Sequence, residues 1–295
     1  MAEIEDIILN KEPELRNPYL IAAWPGMGGV AIIAAKYLIE KLKAEEMGFI
    51  APEEFFELSG VYVKDSLIKD SQFPESKFYF AQGSGDRDWI IFSGEAQPAG
   101  NSYLLANLVL DVAEKFNVKR VHTFAAAPSH IHHSRKPKVS AAVTHTELLD
   151  EINRYGINQL KEGSISGMNG LLLGAAKHRN IEGLCLLGEI PIYTTHIANP
   201  RSSKAVLEAL VHISDLQIDL TEMDEWAKES DKQIEQKIAQ LKESFGEEAT
   251  GLIEYFEHLA EQSTDEEQPP EQFTEELLQD IDHFLKDQGE QKGDH

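Results

Sequence analysis

The sequence predicts one three-layer α/β domain, a mostly parallel or mixed sheet covered by helices on both faces, followed by a helical extension. Three observations predict it. Residues 18–220 alternate short apolar β-rich runs with helical patterns. Helices of one to four turns separate the strands, the arrangement that a sheet covered on both faces requires. Strand-like runs stop near residue 220, where the composition turns acidic.

Residues 19–24 form a short apolar strand, and residues 30–42 carry Ile33, Tyr37 and Leu38 at helical spacing. Further apolar runs cover residues 55–63, 78–80 and 88–93, which read as strands. Ser102 is placed to cap a helix reaching Phe116. Residues 120–124 and 138–143 follow as strands. Thr144 and Glu147 have capping-box spacing, for a helix that stops near Gly156. Residues 184–187 are a late strand, and Asn199-Pro200 opens a helix with proline in its first turn.

Beyond residue 220 the pattern changes. Thr221 to Asp224 again has capping-box spacing, and Ile238, Phe245, Leu252 and Leu259 recur every seven residues, flanked by Ile234, Leu241 and Tyr255. Gly246 and Gly251 argue for a helical hairpin instead of one rod. Residues 262–272, with Pro269-Pro270, read as a polar linker, and Leu277, Ile281 and Phe284 mark a short amphipathic helix. The expected organisation is an α/β domain over 1–220, a helical oligomerisation extension over 221–260 and an acidic segment over 261–295.

A chain of 295 residues with 42% hydrophobic content can bury a sizeable core. The balance of 27 Lys+Arg against 51 Asp+Glu gives a net charge of −24. That surface repels phosphate backbones and anionic lipid, so general nucleic-acid or membrane binding is not expected. About 23 acidic residues against 6 basic ones fall from Thr221 onward. No apolar run approaches the roughly 20 residues of a membrane span. The acidic start lacks a signal-peptide pattern. A lone cysteine, Cys185, forms no internal disulfide, and a cytoplasmic location is expected.

Gly26-Met27-Gly28-Gly29-Val30-Ala31 fits G-x-G-x-x-A between a strand and a helix, where backbone amides can approach a pyrophosphate. The acidic residue that should close the next strand and hold a ribose is missing. Glu45 and Glu46 fall in or beyond the helix, and Glu57 lies inside an expected strand. A turn for close strand–helix packing explains the glycines better than a dinucleotide does, and another anion or small ligand is the remaining reading. His130-Ile131-His132-His133, with His122 and His145 nearby, lacks a carboxylate or cysteine at ligand spacing, and Arg135, Lys136 and Lys138 disfavour a cation. The same cations could receive an anion or an acidic protein surface. Cys185 sits in an apolar run and reads as a small buried hydrophobe. Neither a G-x-S-x-G elbow nor a Walker A run occurs. The loop from Gly163 to Gly170 enters another helix, and Glu189 falls just past a strand end, where open α/β sheets bind ligands. The candidate ligand-contact residues are therefore Gly26, Met27, Gly28, Gly29, Gly94, Glu95, His130, Arg135 and Glu189. No catalytic set, metal site or cofactor is expected.

Taken in order, Trp24-Pro25-Gly26-Met27-Gly28-Gly29-Val30, Gly94-Glu95-Ala96-Gln97-Pro98, Pro137-Lys138-Val139, Gly163-Ser164-Ile165-Ser166-Gly167-Met168-Asn169-Gly170-Leu171-Leu172-Leu173 and Leu187-Gly188-Glu189-Ile190-Pro191 resemble the proteasome assembly chaperone 2 family over about residues 15–220. The resemblance implies an α/β/α fold akin to nucleoside phosphorylases, homo-oligomers and a chaperone role towards 20S proteasomes. It carries no catalytic residues. Archaeal relatives that dock on the proteasome can end in hydrophobic-Tyr-X. This sequence ends Gly293-Asp294-His295, so docking by that route is not expected. The leading expectation is a non-enzymatic oligomer that binds other proteins, proteasome subunits among them. The alternative is an enzyme or binder of phosphate, nucleosides or dinucleotides in a strand-end crevice.

Overall fold

The computed structural model describes residues 6–245 apart from Ser59, Asp70, Ser71 and Ser84. Its elements are β1 (Ile7–Leu9), β2 (Tyr19–Ala23), α1 (Val30–Lys41), β3 (Glu45–Ile50), β4 (Tyr62–Lys64), β5 (Leu67–Lys69), β6 (Ser76–Ala81), β7 (Trp89–Gly94), α2 (Ser102–Lys115), β8 (Arg120–Ser129), β9 (Val139–Val143), α3 (Glu147–Arg154), β10 (Asn158–Gln159), α4 (Gly167–His178), β11 (Glu182–Pro191), α5 (Pro200–Ser214) and α6 (Glu222–Phe245).

Nine strands make one mixed sheet in the order β1-β3-β6-β7-β2-β8-β11-β9-β10. Its centre, β7-β2-β8-β11, is parallel, and antiparallel partners flank it at β6 and β9. Strand β2 is buried on both faces, which is why Tyr-Leu-Ile-Ala-Ala reads as an unbroken apolar run. Its alternate side chains feed two cores. Tyr19, Ile21 and Ala23 pack with α1 and α5 on one face. Leu20, Ala22 and Trp24 pack with α2 and α4 on the other. The three-layer α/β/α arrangement is therefore present.

Helix α6 leans on the α1/α5 layer. Met223 is fully buried in that core and the Trp226 ring meets Tyr37 edge-on at 5.4 Å. Lys41, Lys204 and Arg201 pair with Glu222, Asp224 and Asp231 along its first turns. Ile234 is buried and Ile238 half-buried. Gly246, Gly251 and the seam residues Leu252, Tyr255 and Leu259 lie outside the described residues, as do the expected linker and amphipathic helix.

Several local expectations are corrected. Glu45 and Glu46 lie beyond α1, as expected, and open β3, a strand that the sequence reading did not contain. The run 55–63 is not one buried strand: Phe55 and Phe56 are buried after a turn, Glu57 is exposed outside any strand, and Val61 and Val63 are exposed. Asn101, in the left-handed region, precedes α2, and Ser102 is its first residue. The Thr144 hydroxyl accepts from the Gly183 amide at 2.7 Å, so it is not available to cap α3. Thr221 likewise turns its hydroxyl to Asp219, at 2.6 Å. Asn199 does cap α5, accepting from the Ser202 amide at 2.9 Å with Pro200 in the first turn.

Candidate functional site

The four parallel strands end together, so the loops that follow β7, β2, β8 and β11 share one end of the sheet. All nine candidate residues lie there, because each follows or closes one of these strands. Helix α1 leaves β2 towards one face and α2 leaves β7 towards the other. The chain thus reverses its winding between β2 and β7, the kind of place where open α/β sheets bind ligands.

At this junction the glycine turn is occupied by the protein itself. Gly28 and Gly29 adopt φ of 62° and 60°, the left-handed region that glycine tolerates best. The Gly28 amide donates to the Thr195 carbonyl at 2.6 Å, and its own carbonyl accepts from the Asn199 amide at 2.7 Å. The Gly29 amide donates to Gly26 at 2.9 Å. A Cβ on Gly28 would stand 3.3 Å from Asn199 and 3.4 Å from Ile190. Two of the amides that a pyrophosphate would need are thus already engaged. Glu45 and Glu46 stand at the start of β3, at the opposite end of the sheet from this turn, and Glu45 pairs with Lys11 at 2.7 Å. The geometry is that of a packed turn and not of a dinucleotide cradle.

Two amide side chains complete the junction. Asn169 accepts from the buried Trp24 amide at 3.0 Å and donates to the Trp24 carbonyl at 3.1 Å, so it pairs with that residue as a neighbouring strand would. Gln97 donates to the Pro25 carbonyl at 2.6 Å and accepts from the Met168 amide at 3.0 Å. Gly94 leaves room for the Trp24 ring, which a Cβ there would meet at 2.4 Å. Three separated sequence marks, at 24–30, 94–98 and 163–173, therefore meet in one braced knot. Asn169 and Gln97 were not among the candidate residues. Their signal was a polar amide inside each glycine-bearing run.

Glu95 exchanges backbone and side-chain hydrogen bonds with Glu75, both at 2.8 Å, and lines an open groove of about 1080 Å³ with Pro25, Ile32, Lys36, Phe73 and Pro74. A smaller extension of about 210 Å³ runs on past Lys36, Glu75 and Glu95 to Ile39 and Tyr79. Met27 is 41% exposed. Across the sheet end, His130 and Arg135 are half-buried in the loop after β8. His133 bonds the Tyr193 hydroxyl through its amide and ring Nδ1, both at 3.1 Å. Glu189 lies inside β11, two residues before its end, and is tied to the loop before β9: its carboxylate accepts from the Lys138 amide at 2.9 Å. Among the described residues, no group of three or more His, Cys, Asp or Glu is placed to hold a metal ion. Cys185 is fully buried, and burial pushes its thiol up to about 12, against a smaller opposing effect of the Thr123 hydroxyl. That is the reverse of an activated nucleophile.

The class that fold and junction define is a doubly covered α/β domain whose strand-end glycines are braced by its own side chains. The comparisons give the class a family. The model of the PAC2 family matches residues 20–238, and the chain belongs to that family. An uncharacterised protein of Methanocaldococcus jannaschii is 27% identical over 237 residues, covering 78% of this chain and 86% of that protein. PbaB of Pyrococcus furiosus, described as an archaeal proteasome activator, superposes with a TM-score of 0.68 at 29% identity, covering 78% of this chain and 97% of its own. PbaA of the same organism, described as an archaeal homologue of proteasome-assembly chaperone, shares the fold with a TM-score of 0.61 at 23% identity, over 81% and 99% of the two chains.

Proposed function

We propose that this protein is a non-enzymatic, self-associating scaffold that binds other proteins in the manner of a proteasome assembly chaperone, in the cytoplasm of its host. The observation that carries the reading is the braced junction. The family's glycine-rich marks are used to lock β2, β7 and α4 together, which leaves the outer surface as the working part. Membership of the PAC2 family and the 29% identity to the proteasome activator PbaB support it. The nucleoside-phosphorylase-like comparison belongs to the same reading as a likeness of fold and not of chemistry. Among the nine candidate contacts, Gly26, Gly28, Gly29 and Gly94 serve as frame. Met27, Glu95, His130, Arg135 and Glu189 ring the same end of the sheet and would meet a partner there. The helical extension beyond residue 220 adds an acidic surface suited to a basic partner.

The test is affinity capture of the full chain from its native host after mild crosslinking, beside a thermal-shift series with phosphate, nucleosides and dinucleotides. Recovery of proteasome subunits or their assembly intermediates, with a flat thermal series, is the expected result. A rise of several degrees with one small ligand and no recovered protein would overturn the reading.

A further inference from the structure

The hairpin β4–β5 is built unlike the rest of the fold. Among the described residues its two strands pair only with each other, Tyr62 opposite Lys69, Val63 opposite Ile68 and Lys64 opposite Leu67. Asp65 and Ser66 turn it with φ of 54° and 60°, both in the left-handed region, as a two-residue hairpin requires. Neither strand belongs to either core. Yet Val61, Val63, Leu67 and Ile68 are large apolar residues, 56–72% exposed. An isolated two-stranded ribbon is marginal in water, and clustered exposed apolar residues with free strand edges mark a contact surface.

A matching surface starts at the hairpin's root. Lys69 and Gln72, which lines the groove of about 1080 Å³, are three positions apart, so the groove opens within roughly 11 Å of the hairpin's end. Its walls are apolar at Pro25, Ile32, Phe73 and Pro74. Lys36, Glu75 and Glu95 also line it, with Glu40 and Lys77 along the extension, where Lys77 pairs with Glu75 at 2.6 Å. The hairpin brings Lys64 and Lys69 against one acid, Asp65, in a chain whose net charge is −24. Apolar residues meet apolar walls, and the hairpin's two ammonium groups meet a lining in which three carboxylates, Glu40, Glu75 and Glu95, stand against two lysines, Lys36 and Lys77.

We infer that the β4–β5 hairpin of one copy seats in the Pro25–Phe73 groove of a second copy, with Val63 and Ile68 against the apolar walls and Lys64 and Lys69 at the Glu75/Glu95 rim. Donor and acceptor adjoin on one chain, so every copy can give a hairpin and receive one, and the contact saturates in a two-fold pair or a closed ring and leaves free ends in an open array. The contact gives the self-association in the proposed function a location. It is tested on the purified chain alone, so its failure is separable from a failure to find a partner protein.

The full chain is weighed by light scattering, and an equal mixture of light and nitrogen-15-labelled copies, allowed to exchange subunits, is crosslinked with a carbodiimide that joins amines to carboxylates. Expected are an assembly larger than a monomer, and a Lys64 or Lys69 link to Glu75 or Glu95 that joins light to heavy copies. The V63E/I68E variant, altered only at exposed positions, should fall to monomer mass with an unchanged circular dichroism spectrum and melting temperature. If that variant misfolds, K64E/K69E serves instead and should weaken association at least tenfold at low salt. A monomeric wild type, links confined to one copy, or variants that keep the full assembly would overturn the inference. Association through a different surface of the chain would appear as the last of these.

Discussion

His122 shows how one residue in the sheet sets a condition on the whole domain. It is fully buried on β8, 5.2 Å from the Tyr19 ring, and neither ring nitrogen has a hydrogen-bond partner among the described residues. Burial, with the nearby Arg120 and Arg87 guanidiniums, pushes its pKa down to about 3. An imidazole in the unfolded chain titrates near 6.5. The folded state therefore binds fewer protons between these values, and stability is complete above pH 6.5 and lost as the pH falls towards 3. The slope is about 1.4 kcal/mol per pH unit. Replacing His122→Leu should remove this slope. The stability difference between variant and wild type, from urea unfolding, should move by about 2 to 3 kcal/mol in favour of the variant between pH 7.5 and pH 4.5. A difference constant with pH would show that the ring is not neutral in the fold. Histidine on an apolar strand was visible in the sequence, with Arg120 two residues before it, but Arg87, 35 positions earlier, was not.

At the scale of elements, the strand–helix junction depends on long-range brackets. Asn169 at the start of α4 holds both backbone groups of Trp24, 145 positions earlier. Asn169→Ala removes one donor and one acceptor and leaves two buried backbone groups without partners, at about 1–3 kcal/mol each. A loss of about 2 to 4 kcal/mol in urea unfolding is expected, with the sheet retained by circular dichroism. A loss below about 0.5 kcal/mol would mean that the bracket does not hold the junction, because ordinary surface changes fall in that range. The elements themselves were legible where one signal dominated. Strand β2, buried on both faces, announces itself by an unbroken apolar run, and α5 by its Asn199-Pro200 start. Strand β3 was missed because Glu45 and Glu46 stand exposed at its start and the pairing with β6 shifts register between Glu46 and Gly48. The Thr144 box misled because its hydroxyl serves Gly183, 39 positions on, a competition that no local pattern displays. The glycine turn could be read as a turn. That its amides are taken by Thr195 and Gly26 could not, since Thr195 lies on a loop 167 positions away.

At the scale of the molecule, the sheet and its two helical layers should open together, and Cys185 is placed to report it. The thiol sits on β11, with β8 and β9 hydrogen-bonded on either side, paired in register with Thr123 and Ala142. It belongs to the core beneath α2 and α4. Its pKa of about 12 keeps it protonated in the fold, whereas an exposed thiol near pH 8 is partly thiolate. A thiol reagent can therefore reach it only when α4 lifts from the sheet or the sheet itself separates, which exposes most of one core at once. In buffer at pH 8, labelling of the native chain should be slower than that of the guanidinium-unfolded chain by several orders of magnitude. When opening and closing outpace the reaction, the labelling rate should track unfolding free energy across mild denaturant concentrations. The unfolded control should reach one thiol per chain. Native labelling close to the unfolded rate would place a reactive, accessible thiolate in β11. That single result would reopen a nucleophilic role and count against the scaffold reading.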